Sequence, residues 1–164
     1  MAKNKKTKTK KPVTDPAILM IMSCLPKDGE AIPDVVFDFL VATMNMLLET
    51  KGRRSIRVDT DNVWYDTCSE TLKFKFACSV DNYAPDTHCD VDVRIAVDEE
   101  GACMRTYAVT PMSDSSATVP LTTFDDFDKQ LERACVQAVA ASLKGTAKAA
   151  KDAIDTLEQR AANL

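Results

Sequence analysis

The chain has 164 residues, of which 45% are hydrophobic and 28% charged, and its formal net charge at pH 7 is −4. This length is sufficient for one domain with its own hydrophobic core, and this composition excludes a globally disordered chain. No apolar run approaches the roughly 18 residues that span a bilayer, so we expect no membrane-spanning segment.

The positive charge is concentrated at the amino terminus. Residues 1–13 contain no acidic residue, so subtracting their six lysine charges leaves a net charge of −10 on the other 151 residues. Such a lysine run attracts polyanions, whereas an acidic body repels them. We therefore predict a disordered basic arm that contacts nucleic acid (RNA or DNA) or an acidic partner, or else a solvated terminus that aids solubility. The lysines concerned are Lys3, Lys5, Lys6, Lys8, Lys10 and Lys11.

Six cysteines are scattered through apolar stretches without paired spacing. This pattern favours buried thiols in a reducing compartment, and we expect a cytoplasmic protein, or a nuclear one if the source is eukaryotic and the run KKTK at residues 5–8 is read as an import signal. The chain has no Cys-x-x-Cys pair, and its single histidine, His88, precedes Cys89, so that in a strand the two side chains face opposite ways. We expect no metal and no cofactor.

Asp15 and Pro16 precede an apolar run that ends at Cys24. A basic segment followed by such a run resembles a secretory signal with a lipoprotein cleavage box at Cys24. We favour a short helix instead, with Asp15 as its N-cap and Pro16 at its first position.

Residues 33–51 predict a second helix, because Pro33 stands at its first turn and Gly52 just past its end. Its polar side chains form one narrow stripe, so we expect the helix to be covered on most of its circumference, at the centre of the fold or in an oligomer interface.

From residue 53 to residue 110 the hydrophobic period changes to two, which predicts an antiparallel meander of four or five strands. We expect a short hairpin in which SIRVD and VWY are joined by a turn at Thr60, Asp61 and Asn62. The runs TLKFKFACSV and CDVDVRIAV alternate between one apolar and one polar face. The run ACMRTYAV is a further strand whose facing the sequence does not assign.

After a loop at residues 110–121, Thr123 and Asp126 are typical of a capped helix start, and Gly145 is typical of its end. A last helix then begins near Thr146, and its apolar residues recur at alternating spacings of three and four. This is a short heptad seam that needs a packing partner, which is either the sheet of its own chain or the same helix of another subunit. We predict partner binding at Ile154, Leu157, Ala161 and Leu164.

These elements predict an α+β protein, with the antiparallel meander packed on one face by an N-terminal helix and C-terminal helices. The organisation is a disordered basic arm at 1–13, a single α+β domain at 14–145, and a C-terminal amphipathic helix at 146–164.

The polar face of the predicted sheet carries Lys73 and Lys75, which we name as further candidate nucleic-acid contacts. Possible stacking rings are Trp64 or Tyr65, Tyr83 and Tyr107, beside Arg57 and Arg94. The same face carries acidic residues, which favours cross-strand ion pairs over a stacking platform. These residues are Asp59, Asp90, Asp92 and Asp98.

We predict a non-enzymatic interaction protein that forms a homo-oligomer and carries a basic arm. One alternative is a chaperone or secretion adaptor that holds a protein client. The other is a metal-dependent, nuclease-like enzyme that uses Asp59, Asp90 and Asp92. No catalytic residue is named, because a nucleophile, a base and an orienting group do not assemble from this sequence.

Overall fold

A computed structural model describes residues 12–27, 30–51, 56–81, 88–110 and 113–162. Within these residues, three α-helices, α1 (Pro16–Ser23), α2 (Asp34–Lys51) and α3 (Phe127–Ala162), flank a sheet of five strands. The strands are β1 (Val63–Asp66), β2 (Thr71–Asp81), β3 (His88–Asp98), β4 (Gly101–Thr110) and β5 (Ser113–Leu121). Each strand pairs antiparallel with the next, and a 3₁₀ turn at Thr60–Asn62 precedes β1. The predicted α+β class is confirmed.

The alternation predicted for β2 and β3 is also confirmed. Leu72 and Phe74 on β2 and Val93 and Ile95 on β3 are fully buried, while their sequence neighbours face the other way. The structure settles the facing of β4, whose Met104 and Thr106 are both 0% exposed. The helices pack on this inward face, and together they form one core.

The start of α1 is held by Asp15, as predicted. One carboxylate oxygen of Asp15 accepts a hydrogen bond from the Ala17 amide at 3.0 Å. The other accepts from the Phe124 amide and from Lys51 Nζ, both at 3.2 Å. Asp15 is only 3% exposed, so this single carboxylate joins the start of α1, the end of α2 and the segment before α3.

These contacts control the charge of Asp15. Burial alone raises the pKa of a carboxyl group, but the two backbone donors and Lys51 outweigh it, and the pKa of Asp15 is lowered. Lys51 also bonds Asp125 at 3.0 Å, and its own pKa is raised by these two carboxylates, Asp125 first. The Asp15 carboxylate, which we call the Asp15 anchor because it joins three segments of the chain, is therefore ionised across the neutral pH range.

The predicted hairpin at SIRVD and VWY is wrong. Residues 56–59 form no strand, and within the described residues β1 pairs with β2 alone. The reason is that the side chain of Asn45 in α2 forms hydrogen bonds with both backbone polar groups of Val58. It accepts from the Val58 N–H at 2.8 Å and donates to the Val58 C=O at 2.9 Å. A backbone whose polar groups are satisfied by a side chain has no need of a neighbouring strand.

The prediction of a loop at residues 110–121 is also wrong, because most of this segment forms β5. This edge strand pairs with β4 from Ala102 opposite Leu121 to Thr110 opposite Ser113. Its inward residues are mostly small, which lets α3 approach: Ser115 Oγ donates to the Ala138 carbonyl, and Thr106 Oγ1 on β4 donates to the Ala134 carbonyl at 3.3 Å. Pro120 is tolerated because an edge strand need not donate every hydrogen bond.

The prediction that one helix ends at Gly145 and another begins after it is wrong as well, since α3 runs unbroken for 36 residues. A glycine inside a helix costs only about 1 kcal/mol relative to alanine, and the flanking alanines, lysines and leucine are strong helix formers. The predicted cap at Thr123 also differs, because Thr123 Oγ1 accepts from the Asp125 amide in a turn and α3 begins at Phe127.

Candidate interaction surfaces

The outward face of the sheet is the first candidate surface. From Lys73 to Ser79 on β2, from Asp90 to Ala96 on β3, and from Cys103 to Tyr107 on β4, the outward side chains are all exposed or half-buried. Apart from Tyr107, this open sheet face consists of short and charged side chains, so it can contact a polar partner.

Lys73 and Lys75, the predicted nucleic-acid contacts, both lie on the open sheet face in ion pairs. Lys73 Nζ is 2.8 Å from Asp66, and Lys75 Nζ is 3.2 Å from Asp92. The Lys73 ammonium, with hydrogen bonds from Ser69 and Cys68, lowers the pKa of Asp66 to about 2. The predicted cross-strand ion pairs therefore form, and they reduce the attraction of both lysines for a polyanion.

The cations of this face that lack a carboxylate partner within the described segments are Arg94 and Arg105, which stand directly opposite each other on β3 and β4. Both contact Tyr107: the Arg94 guanidinium carbon lies 4.8 Å from the ring centroid, and Arg105 donates to the Tyr107 hydroxyl at 3.2 Å. Among the buried polar side-chain atoms of the described residues, Arg94 Nε has no hydrogen-bond acceptor. Cation–π contact partly offsets the repulsion between the two arginines.

The open sheet face does not gather carboxylates for metal chemistry. Asp92 is engaged by Lys75, and Asp90 accepts from the Ser79 hydroxyl at 2.9 Å. Asp59 lies before the 3₁₀ turn, outside any strand. Within the described part of the chain, no group of three or more His, Cys, Asp or Glu side chains is placed to hold a metal ion.

The carboxyl-terminal part of α3 is the second candidate surface. Its last side chain buried in the core is Ser142, and every described residue from Lys151 to Ala162 is exposed. At 1.5 Å per residue the whole helix is about 54 Å long. Because residues 151–162 are all exposed, roughly the last three turns project beyond the rest of the fold, which we call the body. A helical segment of this length is marginal in water without packing.

Ile154, Leu157 and Ala161, the predicted partner-binding residues, share one face of this projecting part. Ile154 is 55% exposed and Leu157 61%. Leu164, the fourth, lies outside the described residues, as do all six lysines of the predicted arm.

Because α3 is continuous, the seam is longer than the sequence predicts. Val136 and Leu143, 47% and 43% exposed, extend the same alternation of four and three residues toward the amino end of the helix. We define the α3 seam as the eight described residues in this series: Val136, Ala140, Leu143, Ala147, Ala150, Ile154, Leu157 and Ala161. A heptad pattern that persists for more than three heptads is the signature of a coiled coil.

A third apolar surface lies on α2. Within the described residues, α2 is not covered all round by its own chain, because Val35 is 82%, Phe39 47% and Met46 52% exposed. The prediction that α2 lies at the centre of the fold is therefore wrong for this side of the helix, and its alternative, an oligomer interface, stays a prediction. With Ala42 they form a stripe at helical spacing on the side away from the buried Leu40, Met44 and Leu48. The sequence shows these residues as apolar, but not which side of the helix the core covers.

Four residues of the open sheet face and the α3 seam were not predicted from the sequence. Arg105 was missed because the run ACMRTYAV does not reveal its facing, which depends on pairing with β5. Val136, Ala140 and Leu143 do not join the predicted seam, because the glycine at residue 145 is typical of a helix end. The heptad spacing across residue 145 was the signal that could have found them.

Comparison with protein-family models, with curated proteins and with solved structures finds no match for this chain. No helix within the described residues combines the length and apolar character needed to cross a membrane.

Proposed function

We propose that the protein is a non-enzymatic interaction protein that self-associates through the projecting part of α3. On this proposal, its basic arm at residues 1–13 contacts nucleic acid or an acidic partner. One observation carries the proposal: an apolar heptad seam, with Ile154 and Leu157 more than half exposed, stands clear of the core. Large apolar side chains exposed in a row are typical of an interaction surface.

Self-association is tested by substituting the two largest side chains of the projecting part. Ile154→Glu with Leu157→Glu places charges in the seam, and we expect the oligomer to dissociate to the 18.0 kDa chain. The matched control is Thr156→Glu with Gln159→Glu, which adds the same charge to the outer side of the same turns. The measurement is sedimentation equilibrium. A wild-type protein that stays monomeric at several hundred micromolar would remove the proposal.

The arm is tested by deleting residues 2–12 and titrating single- and double-stranded nucleic acid in a gel-shift assay. Lysine contacts to phosphate release counterions, so we expect full-length binding to weaken steeply with salt and to be lost on deletion. Lys73→Gln with Lys75→Gln should have a smaller effect, because both side chains are already paired with aspartates. Salt-insensitive binding that survives the deletion would refute the role of the arm.

A chaperone or secretion adaptor is the second candidate, and the α2 stripe favours it. Such a protein holds a client's apolar segment in a helix-lined groove. On this candidate, Phe39→Glu with Met46→Glu abolishes protection of an aggregation-prone reporter protein while leaving the α3 oligomer intact. Equal protection by wild type and variant would exclude the stripe as the client site.

A further inference from the structure

The charges beside the α3 seam specify how two copies would pair. In a two-helix coiled coil, the residues that flank the apolar seam form the ion pairs that set the orientation. With Ala147, Ile154 and Ala161 at the first apolar position of each heptad, one flank carries Lys144, Lys151 and Glu158. The other flank carries Thr146, Ala153 and Arg160.

A parallel pair sets one flank of a helix against the other flank of its partner. Lys151 would then face Thr146 of the second copy, and Glu158 would face Ala153, so neither charge gains an opposite charge. An antiparallel pair sets the same flank of both helices together. Lys151 of each copy can then meet Glu158 of the other, which forms two ion pairs around the twofold axis.

We propose that two copies of this chain pair through antiparallel α3 helices, in the register that joins Lys151 to Glu158 of the second copy. The inference rests on the self-association proposed above and names its partner, orientation and register. Within the described residues, neither Lys151 nor Glu158 has an ion-pair partner in its own chain, and both are exposed.

The apolar side chains fit the same register. Joining residues 151 and 158 places Ile154 against Leu157 of the second copy on both sides of the axis, so the largest seam residues meet at the centre. Ala150 then meets Ala161, and small residues there let the two helices approach closely. Shifting the register by one heptad toward the bodies would place Lys151 against Lys151, a like-charge contact that opposes pairing.

The antiparallel arrangement also separates the two bodies. The core covers α3 as far as Ser142, and the paired segment begins beyond that residue. The bodies therefore lie at opposite ends of the paired helices, and both open sheet faces stay accessible.

Charge exchange between two variants tests the proposal. Lys151→Glu alone and Glu158→Lys alone each convert both ion pairs into repulsions, so each variant should self-associate about tenfold or more weakly than wild type at low salt. Mixing the two variants restores both ion pairs between unlike chains, and the mean mass should return to the wild-type value. Sedimentation equilibrium with one variant fluorescently labelled measures this directly.

The control pair is Lys148→Glu and Asp152→Lys, which carries the same charge changes on the outer side of α3. Lys148 also has an aspartate four residues on, as Lys151 does, so Lys148→Glu and Lys151→Glu change the charge contacts within one helix in the same way. These variants should self-associate like wild type, and their mixture should show no preference for unlike chains. Circular dichroism verifies that every variant stays folded.

The outcomes separate the two proposals. A monomeric wild type overturns self-association and the pairing scheme together. A wild-type dimer whose affinity is unchanged by Lys151→Glu and Glu158→Lys overturns the antiparallel register and leaves self-association intact. Weakened single variants that are not rescued by mixing overturn the register as well.

Discussion

The two halves of α3 share one secondary structure but have opposite surroundings. Up to Ser142, the helix buries Leu131, Ala134 and Ala138 against β4 and β5, and hydroxyls of the sheet bond its carbonyls. From Lys151 onward, every described side chain is exposed. The first half is stabilised by tertiary packing, whereas a helical segment as short as the second half is marginal in water without packing. A single helix thus belongs to the core in one half and is exposed in the other.

The largest expected effect is the difference in the free energy of unfolding between truncating a leucine in the first half and truncating one in the second half. Leu131→Ala removes a side chain that is 1% exposed and should lower the free energy of unfolding by about 2–5 kcal/mol. Leu157→Ala should change the stability of the monomer by less than about 0.5 kcal/mol and act on self-association instead. Urea denaturation at low protein concentration measures both. Equal destabilisation would show that the two halves are packed alike.

The second effect concerns the Asp15 anchor on the packed side. Asp15→Ala removes an N-cap acceptor and a partner of Lys51, and should destabilise the body by about 2–3 kcal/mol. Because the pKa of Asp15 is lowered in the folded state, its contribution is present above about pH 4 and is lost as the pH falls further. The wild type and the variant should therefore converge in urea melts at low pH. A difference that grows with acidity would contradict this anchor.

A substitution at Gly145, where the two halves of α3 meet, should have a smaller effect on stability. Gly145→Ala should raise helix stability by about 0.5–1 kcal/mol, because alanine is the better helix former. Circular dichroism at 222 nm should show a later loss of helix on heating, chiefly from the projecting half. A loss of helix signal would mean that the helix needs a glycine at this junction.

The smallest effect lies on the open sheet face. Asp66→Asn removes the ion pair with Lys73, and should destabilise the body slightly at pH 7. Since the pKa of Asp66 is about 2 when folded and 3.8 ordinarily, the difference should shrink between about pH 4 and about pH 2. Thermal melts across this range measure it, with self-association unchanged throughout. A shift in the oligomer would connect the open sheet face to α3 pairing.

Local patterns predicted the parts of the fold in which one signal dominates. The alternation of β2 and β3 is strict, so their buried faces were predictable, and Asp15 with Pro16 marked the start of α1. The bounds of α2 followed from Pro33 and Gly52. These signals depend on neighbours in sequence, and tertiary contacts did not override them.

Tertiary contacts decided the elements that the sequence did not predict. Val58 is kept out of a strand by the side chain of Asn45, thirteen residues earlier. β5 is a strand because each of its residues pairs with β4 and because α3 packs on its small inward side chains. In the sequence alone, Ser115, Ser116 and Thr118 are typical of a loop. The seam residues of the candidate site were half predicted, since the glycine signal at residue 145 masked the heptad spacing that crosses it.

The most direct test of the central claim is the mass of the wild-type chain beside that of Ile154→Glu with Leu157→Glu, by sedimentation equilibrium across a concentration series. We expect the wild type to approach twice the 18.0 kDa chain mass and the variant to stay at the chain mass with its fold intact. Equal masses for the two proteins at every concentration would contradict it.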